Sequence, residues 1–129
     1  MRYLFDTSSL IAFFNGEAGE AEVKLLLETV EDGASEGFVS AITLTELFYL
    51  FNAIDKGPTA KDVIESVMGS KLVVLPINVS TSLLAGEYKR RAIPIADALI
   101  AANAHEVGAK VVTDDPHFSK TGVEVLKFR

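Results

Sequence analysis

The sequence contains no cysteine and no tryptophan, and only two histidines, His105 and His117. The absence of cysteine excludes disulfides, thiolate metal sites and cysteine nucleophiles together, and suits a reducing compartment. Two histidines are too few for a three-histidine zinc centre. No apolar run approaches the ~20 residues of a membrane-spanning helix. The opening MRYLFDTSSL places Asp6 inside its first apolar stretch, unlike a secretory signal. A soluble cytoplasmic protein is expected. Positive charge is also scarce: 12 Lys and Arg face 18 Asp and Glu, a net charge of −6.

What is present is a core. The chain is 49% hydrophobic and 23% charged with a mean hydropathy of +0.29, which excludes intrinsic disorder. Its 129 residues suit one domain, 1–129. The acidic excess is local. Glu17, Glu20, Glu22, Glu28, Glu31, Asp32 and Glu36 face Lys24 alone, and the rest of the chain carries eleven residues of each sign. One solvated helix thus holds the excess, and an acidic total does not exclude a polyanionic substrate.

Periodicity and punctuation predict alternating strands and helices. Strands are expected at Arg2–Phe5, Phe38–Ser40, Leu72–Ile77, Lys110–Thr113 and Val123–Phe128. Helices are expected at Leu10–Phe14 after the Thr-Ser-Ser cluster, at Glu17–Asp32, at Thr43–Lys56, and from Thr59 to Met68. A further pair runs from Asn78 or Ser80 to Arg91 and from Ile95 to Val107, the last closed by Gly108. Short apolar strands separated by helices imply a three-layer α/β/α sandwich with a central, mainly parallel sheet.

Four acidic positions stand where their neighbours predict burial. Asp6 ends the first strand, Glu46 interrupts ITLTELFYLF, Asp97 interrupts IPIADALIAA, and Asp114-Asp115 follow Val111-Val112-Thr113. A buried, unpaired carboxylate is costly and tends to take up a proton. No Lys or Arg lies within five residues of Glu46 or Asp97, which leaves a divalent cation as compensation. The carboxyl ends of parallel strands are where open α/β sheets gather their sites. Oxygen-only ligands suit Mg²⁺ or Mn²⁺, one ion or two. Each residue also has a bland reading: Asp6 as a helix cap, Asp97 as a partner of the helix dipole, Glu46 as a capping-box partner of Thr43, and Asp114-Asp115-Pro116 as a turn. The set of four at one kind of position favours the metal site.

The pieces DTSSLI, the Thr-Glu-Leu helix, IPIADALIAANA and VVTDDPHF occur in this order over almost the whole chain. Together they resemble the PIN-domain ribonucleases, most closely the VapC-type toxins of prokaryotic toxin–antitoxin pairs. The resemblance implies a PIN-like fold and a Mg²⁺- or Mn²⁺-dependent endoribonuclease. It places the acidic ligands on Asp6, Glu46, Asp97 and Asp115, with Asp6 and Asp97 as the principal pair, Asp114 as an intervening residue and Thr113 as the hydroxyl beside the site. Pro116-His117 departs from the acidic or Asn residue the family often carries before the Phe. Direct hydrolysis is implied, leaving a 5′-phosphate and a 3′-hydroxyl on RNA.

The resemblance also implies an antitoxin partner that inserts a basic residue among the carboxylates, and a homodimer. Some of the apolar residues Leu47–Phe51, Phe13 and Phe14 would then line those surfaces, the rest being ordinary core. Lys89-Arg90-Arg91 is a candidate phosphate contact or a solvated helix end, His105 reads as core or surface, and His117, near the acidic loop, reads as plain loop, with a contact to substrate or a supporting role beside the site as the alternative. A receiver domain is excluded because Asp6 is followed by Thr-Ser-Ser and Asp55 ends a helix. A haloacid-dehalogenase-type phosphatase is excluded because residue 8 is Ser, not Asp. A catalytically weak PIN-like binding module and a stand-alone RNA-processing nuclease are the alternatives.

Overall fold

A computed structural model describes residues 1–54 and 56–129. Five parallel strands form one sheet: β1 (Arg2–Phe5), β2 (Glu36–Ser40), β3 (Val73–Leu75), β4 (Lys110–Thr113) and β5 (Val125–Lys127), in the order β3-β2-β1-β4-β5. The described helices are α1 (Thr7–Asn15), α2 (Glu20–Glu31), α3 (Ala41–Ala53), α4 (Ala60–Gly69), α5 (Val79–Lys89) and α6 (Ile95–Val107), with a 3₁₀ helix at Pro116–Thr121.

The strands are apolar on both sides, so both faces are covered. Tyr3, Phe5, Val39 and Val112 point into a core with Val23, Leu47, Phe51, Val63 and Val67 from α2, α3 and α4. The alternate residues Leu4, Phe38 and Val111 pack with Ile100, Ala101 and Ala104 of α6 and with Phe118. This is the expected three-layer sandwich. Gly37 in β2 is what lets α2 seat closely: a Cβ there would lie 2.8 Å from Val30 Cγ1.

The sheet runs outward from β1 in two directions, through β2 to β3 and through β4 to β5. The chain order therefore reverses between β1 and β4. In an open parallel sheet the crevice at the carboxyl ends of such a pair is where a site forms. Asp6 lies at the end of β1 and extends the ladder, its N–H bonding to Val112 O at 3.2 Å.

Several boundaries differ from expectation. Helix α1 begins at Thr7 rather than Leu10, because Asp6 itself caps it: its side chain accepts from Ser9 N. Helix α2 starts at Glu20, since Gly19 takes a left-handed φ of 89° that breaks a run from Glu17. Helix α3 starts at Ala41, capped by Ser40, and ends at Ala53 rather than Lys56; Asp55 lies outside the described residues. The segment after β4, expected to be loop, is the 3₁₀ helix Pro116–Thr121, which Asp115 caps. Among the described residues, no helix is long and apolar enough to cross a membrane.

The aromatic excess divides. Leu47 and Phe51 are core, and Phe14 packs edge-on against both Phe51 and Phe13. Phe48 and Tyr49 of α3 are more than half exposed.

Candidate functional site

The carboxyl end of the sheet collects acidic side chains from four separate stretches of chain. Asp6 is 3% exposed. Its Oδ1 accepts from Ser9 N at 2.8 Å and from Ser8 Oγ at 2.8 Å. Burial raises its pKa from 3.8 to about 6, against the Thr113 hydroxyl, Ser9 N–H and Ser8 hydroxyl, which lower it. The capping role and the acidic cluster are thus compatible, because a cap uses only part of a carboxylate's acceptor capacity.

Glu46 stands in the second turn of α3 and is half-buried. Thr7 Oγ1, which is 3.1 Å from Thr43 Oγ1, donates to Glu46 Oε1 at 2.6 Å. The capping-box alternative is therefore corrected: Ser40 caps α3, and Glu46 points across to α1. Polar threonines at the foot of two apolar helices make this contact possible.

Asp97 lies in the first turn of α6, where the dipole favours its ionised form. Burial outweighs that. Its pKa rises from 3.8 to about 7, first through burial, then through Asp115, Asp6 and Glu46. Three other carboxylates thus act on one carboxyl group. Helix α6 is held in place by Asn103, which is 2% exposed. Its Oδ1 accepts from Ser40 Oγ at 2.6 Å and its Nδ2 donates to Pro76 O at 3.1 Å. One buried amide therefore ties α6 to the end of β2 and the loop after β3.

Asp114 and Asp115 separate. Asp114 Oδ2 pairs with Arg129 Nε at 2.6 Å. Burial works against its charge, but hydrogen bonds from Arg129 and Ser8 outweigh it and hold the group below the ordinary carboxylate range. Asp115 turns instead toward Asp97 and His117, with His117 Nδ1 2.7 Å from its Oδ1. Asp97, Asp115 and His117 each offer a ligand atom within 4.8 Å of one another.

His117, for which plain loop was the favoured reading and a role beside the site the alternative, stands next to Asp97 and Asp115. Its approach to Asp97 depends on the 3₁₀ turn. The motif Asp-Pro-His, a capping acid followed by proline, was the available signal. His105 lies at the far end of α6 and takes no part. Arg91 Nη1 donates to Lys120 O at 2.8 Å, Arg90 pairs with Glu87 at 3.2 Å, and both side chains remain at the surface. A cavity of about 320 Å³ opens beside the acidic residues, lined by Thr113, Asp114, Asp115, Pro116 and Lys127. The donor set, carboxylates plus one imidazole with Arg129 committed to Asp114, fits a divalent cation.

The chain is thus a parallel five-stranded α/β/α sandwich with acidic side chains gathered at its switch point. The PIN domain profile matches residues 3–124, so the chain belongs to the PIN domain family. Among solved structures it is similar to VapC20 of Mycobacterium tuberculosis, described as a sarcin–ricin-loop-cleaving toxin. The TM-score is 0.79 at 20% identity, covering 97% of this chain and 98% of that one. It is also similar to a chain of VapBC2 from Rickettsia felis bound to promoter DNA, with a TM-score of 0.76 at 21% identity over 98% of both chains. DNA-bound VapBC from Salmonella typhimurium gives 0.76 at 21% identity, over 100% of this chain and 99% of that one. At these identities the likeness is one of fold. A comparison with curated protein sequences finds no significant match.

Proposed function

We propose that this protein is a Mg²⁺- or Mn²⁺-dependent endoribonuclease, the toxin of a toxin–antitoxin pair, in which residues 1–129 act as one nuclease domain. The observation that carries this reading is the environment of Asp97, pushed to about pKa 7 by burial and by Asp115, Asp6 and Glu46 together. Such crowding is relieved by a retained proton or by a cation, and carboxylates gathered in this way mark a candidate functional site. The solved VapC and VapBC structures of like fold support the toxin assignment.

Asp6 and Asp97 are the principal metal-holding residues, and Glu46 and Asp115 complete the acidic wall. A bound divalent cation would polarise the scissile phosphate and make water a better nucleophile at neutral pH. The protein's part is positioning. Ser8 and Ser9 fix the Asp6 carboxylate, Thr7 fixes Glu46, and Asn103 holds the helix that carries Asp97. Lys127 neighbours Thr113 in the β4–β5 register and, with Arg90 and Arg91, offers cationic contacts for the RNA backbone.

The antitoxin docks a helix in the apolar groove of about 310 Å³ that Leu10, Phe13, Phe14, Leu27 and Val67 line, and sends a basic residue to the carboxylates. The exposed Phe48 and Tyr49 serve a homodimer face. With RNA as substrate, the site of action is the cytoplasm. The direct test is the chemistry of the cut ends. Hydrolysis leaves a 5′-phosphate and a 3′-hydroxyl; a 2′,3′-cyclic phosphate would contradict this reading.

A further inference from the structure

The acidic wall includes one nitrogen. His117 Nδ1 lies 2.7 Å from Asp115 Oδ1 and 3.4 Å from Asp97 Oδ2. The atom is shielded from solvent, yet it has no hydrogen-bond partner among the described residues. The approach to Asp115 is close enough, so its direction is what fails as a hydrogen bond. The ring is 38% exposed at its other edge, but Nδ1 itself is shielded between two carboxylates with no aligned hydrogen bond to either, placed where all three would meet one ion.

The ring is held there by the backbone. His117 N donates to Asp115 Oδ1 at 2.8 Å, the contact that caps the 3₁₀ helix. Pro116 fixes the first turn, and the fully buried Phe118 pins the next residue beneath α6. The donor is therefore pre-set rather than recruited.

We propose that His117 is the ion-selecting residue of this site. Its Nδ1 joins Asp97 and Asp115 as a nitrogen donor and biases the centre toward Mn²⁺ and related transition cations over Mg²⁺. The inference rests on reading the acidic cluster as a metal centre. Its physical basis is ligand preference: Mg²⁺ takes oxygen ligands and retains its waters, whereas imidazole suits transition ions. The competing role is a resident imidazolium paired with Asp115, which would oppose every divalent cation equally. Removal of the ring separates the two, since the effects on binding have opposite sign.

The test is equilibrium titration of the metal-free protein with Mn²⁺ and with Mg²⁺, for wild type, His117→Ala and His117→Asp. Loss of the nitrogen in His117→Ala weakens Mn²⁺ by about tenfold or more while Mg²⁺ changes far less. His117→Asp, which supplies oxygen in place of nitrogen, retains Mg²⁺ and narrows the preference, and it serves alone if the alanine variant does not fold. Pulsed electron paramagnetic resonance of bound Mn²⁺ shows coupling to a ring nitrogen in wild type and none in either variant. An unchanged ratio of affinities, no nitrogen coupling in wild type, or tighter binding of both ions by His117→Ala overturns the role of His117 and leaves the metal centre standing. A wild-type protein that binds neither ion overturns both.

Discussion

Arg129 Nε sits 2.6 Å from Asp114 Oδ2, and that ion pair gives two adjacent aspartates different roles. Asp114 has its own counter-ion; Asp115 faces Asp97, with a carboxylate for a neighbour and His117 between. Asp114→Asn accordingly leaves RNA cleavage within a few-fold of wild type and costs about 0–1 kcal/mol of stability, as for a part-exposed pair. Asp115→Asn lowers cleavage by about a hundredfold or more while the fold melts normally. Cleavage rates and melting curves of the two variants, side by side, check this.

Thr7 provides a second test. Its hydroxyl is the donor that holds Glu46 across the gap between α1 and α3. Thr7→Val preserves shape and removes the bond, so cleavage falls about tenfold as the carboxylate loses its orientation. Stability falls by about 1 kcal/mol. Thr7→Ser restores cleavage, which a purely structural contact would not require.

The raised pKa of Asp97 makes a prediction about stability. Its value is 3.8 ordinarily and about 7 in the fold, so the folded protein holds that proton more tightly than the unfolded chain does. This contribution to stability is complete below pH ~4 and is lost as pH rises to ~7. Asp97→Asn keeps the neutral form at every pH. In EDTA it is more stable than wild type at pH 8, by on the order of 2 kcal/mol, and the difference vanishes below pH ~4. Mn²⁺ or Mg²⁺ raises the melting temperature of wild type and has little effect on the variant. Thermal denaturation across pH, with and without metal, reads both effects.

Arg90 and Arg91 bear on substrate binding. Among the described residues Arg90 contacts Glu87 and Arg91 contacts Lys120 O, and each guanidinium keeps further donors for a phosphate. With Asp97→Asn as background to prevent cutting, replacing both by Gln lowers the slope of log affinity against log salt by about 1.4, two phosphate contacts on a single strand. An unchanged slope assigns them to solvent instead.

The sheet, its parallel sense and the helices on both faces were legible because strands such as Tyr3–Phe5 and Val111–Val112 are apolar at every position, a pattern that only a doubly covered sheet explains. The out-of-place acids were legible for the same reason: Asp6 and Asp97 interrupt sequence that is otherwise buried. The contacts that give those acids different surroundings were not. Thr7–Glu46 spans 39 residues, and Asp114–Arg129 joins the end of one strand to the residues after another. Local sequence carries no record of such pairings. For His117 plain loop was favoured over a role beside the site because its position depends on a 3₁₀ turn that Asp115 caps, and a turn of that length leaves no hydrophobic period to detect. Asp6 as a helix cap was legible, but the start of α1 was placed too late because Thr7-Ser8-Ser9 read as part of the cap, whereas Asp6 alone is the cap and Thr7 is already helical.

The central claim is that carboxylates meeting at the sheet's switch point hold a cation and cut RNA. Purified wild type and Asp97→Asn, incubated with mixed cellular RNA in Mg²⁺ or Mn²⁺ and in EDTA, test it most directly. Cleavage by wild type with metal, and none by the variant or in EDTA, is the predicted result. Equal cleavage by Asp97→Asn, or cleavage that persists in EDTA, would contradict it.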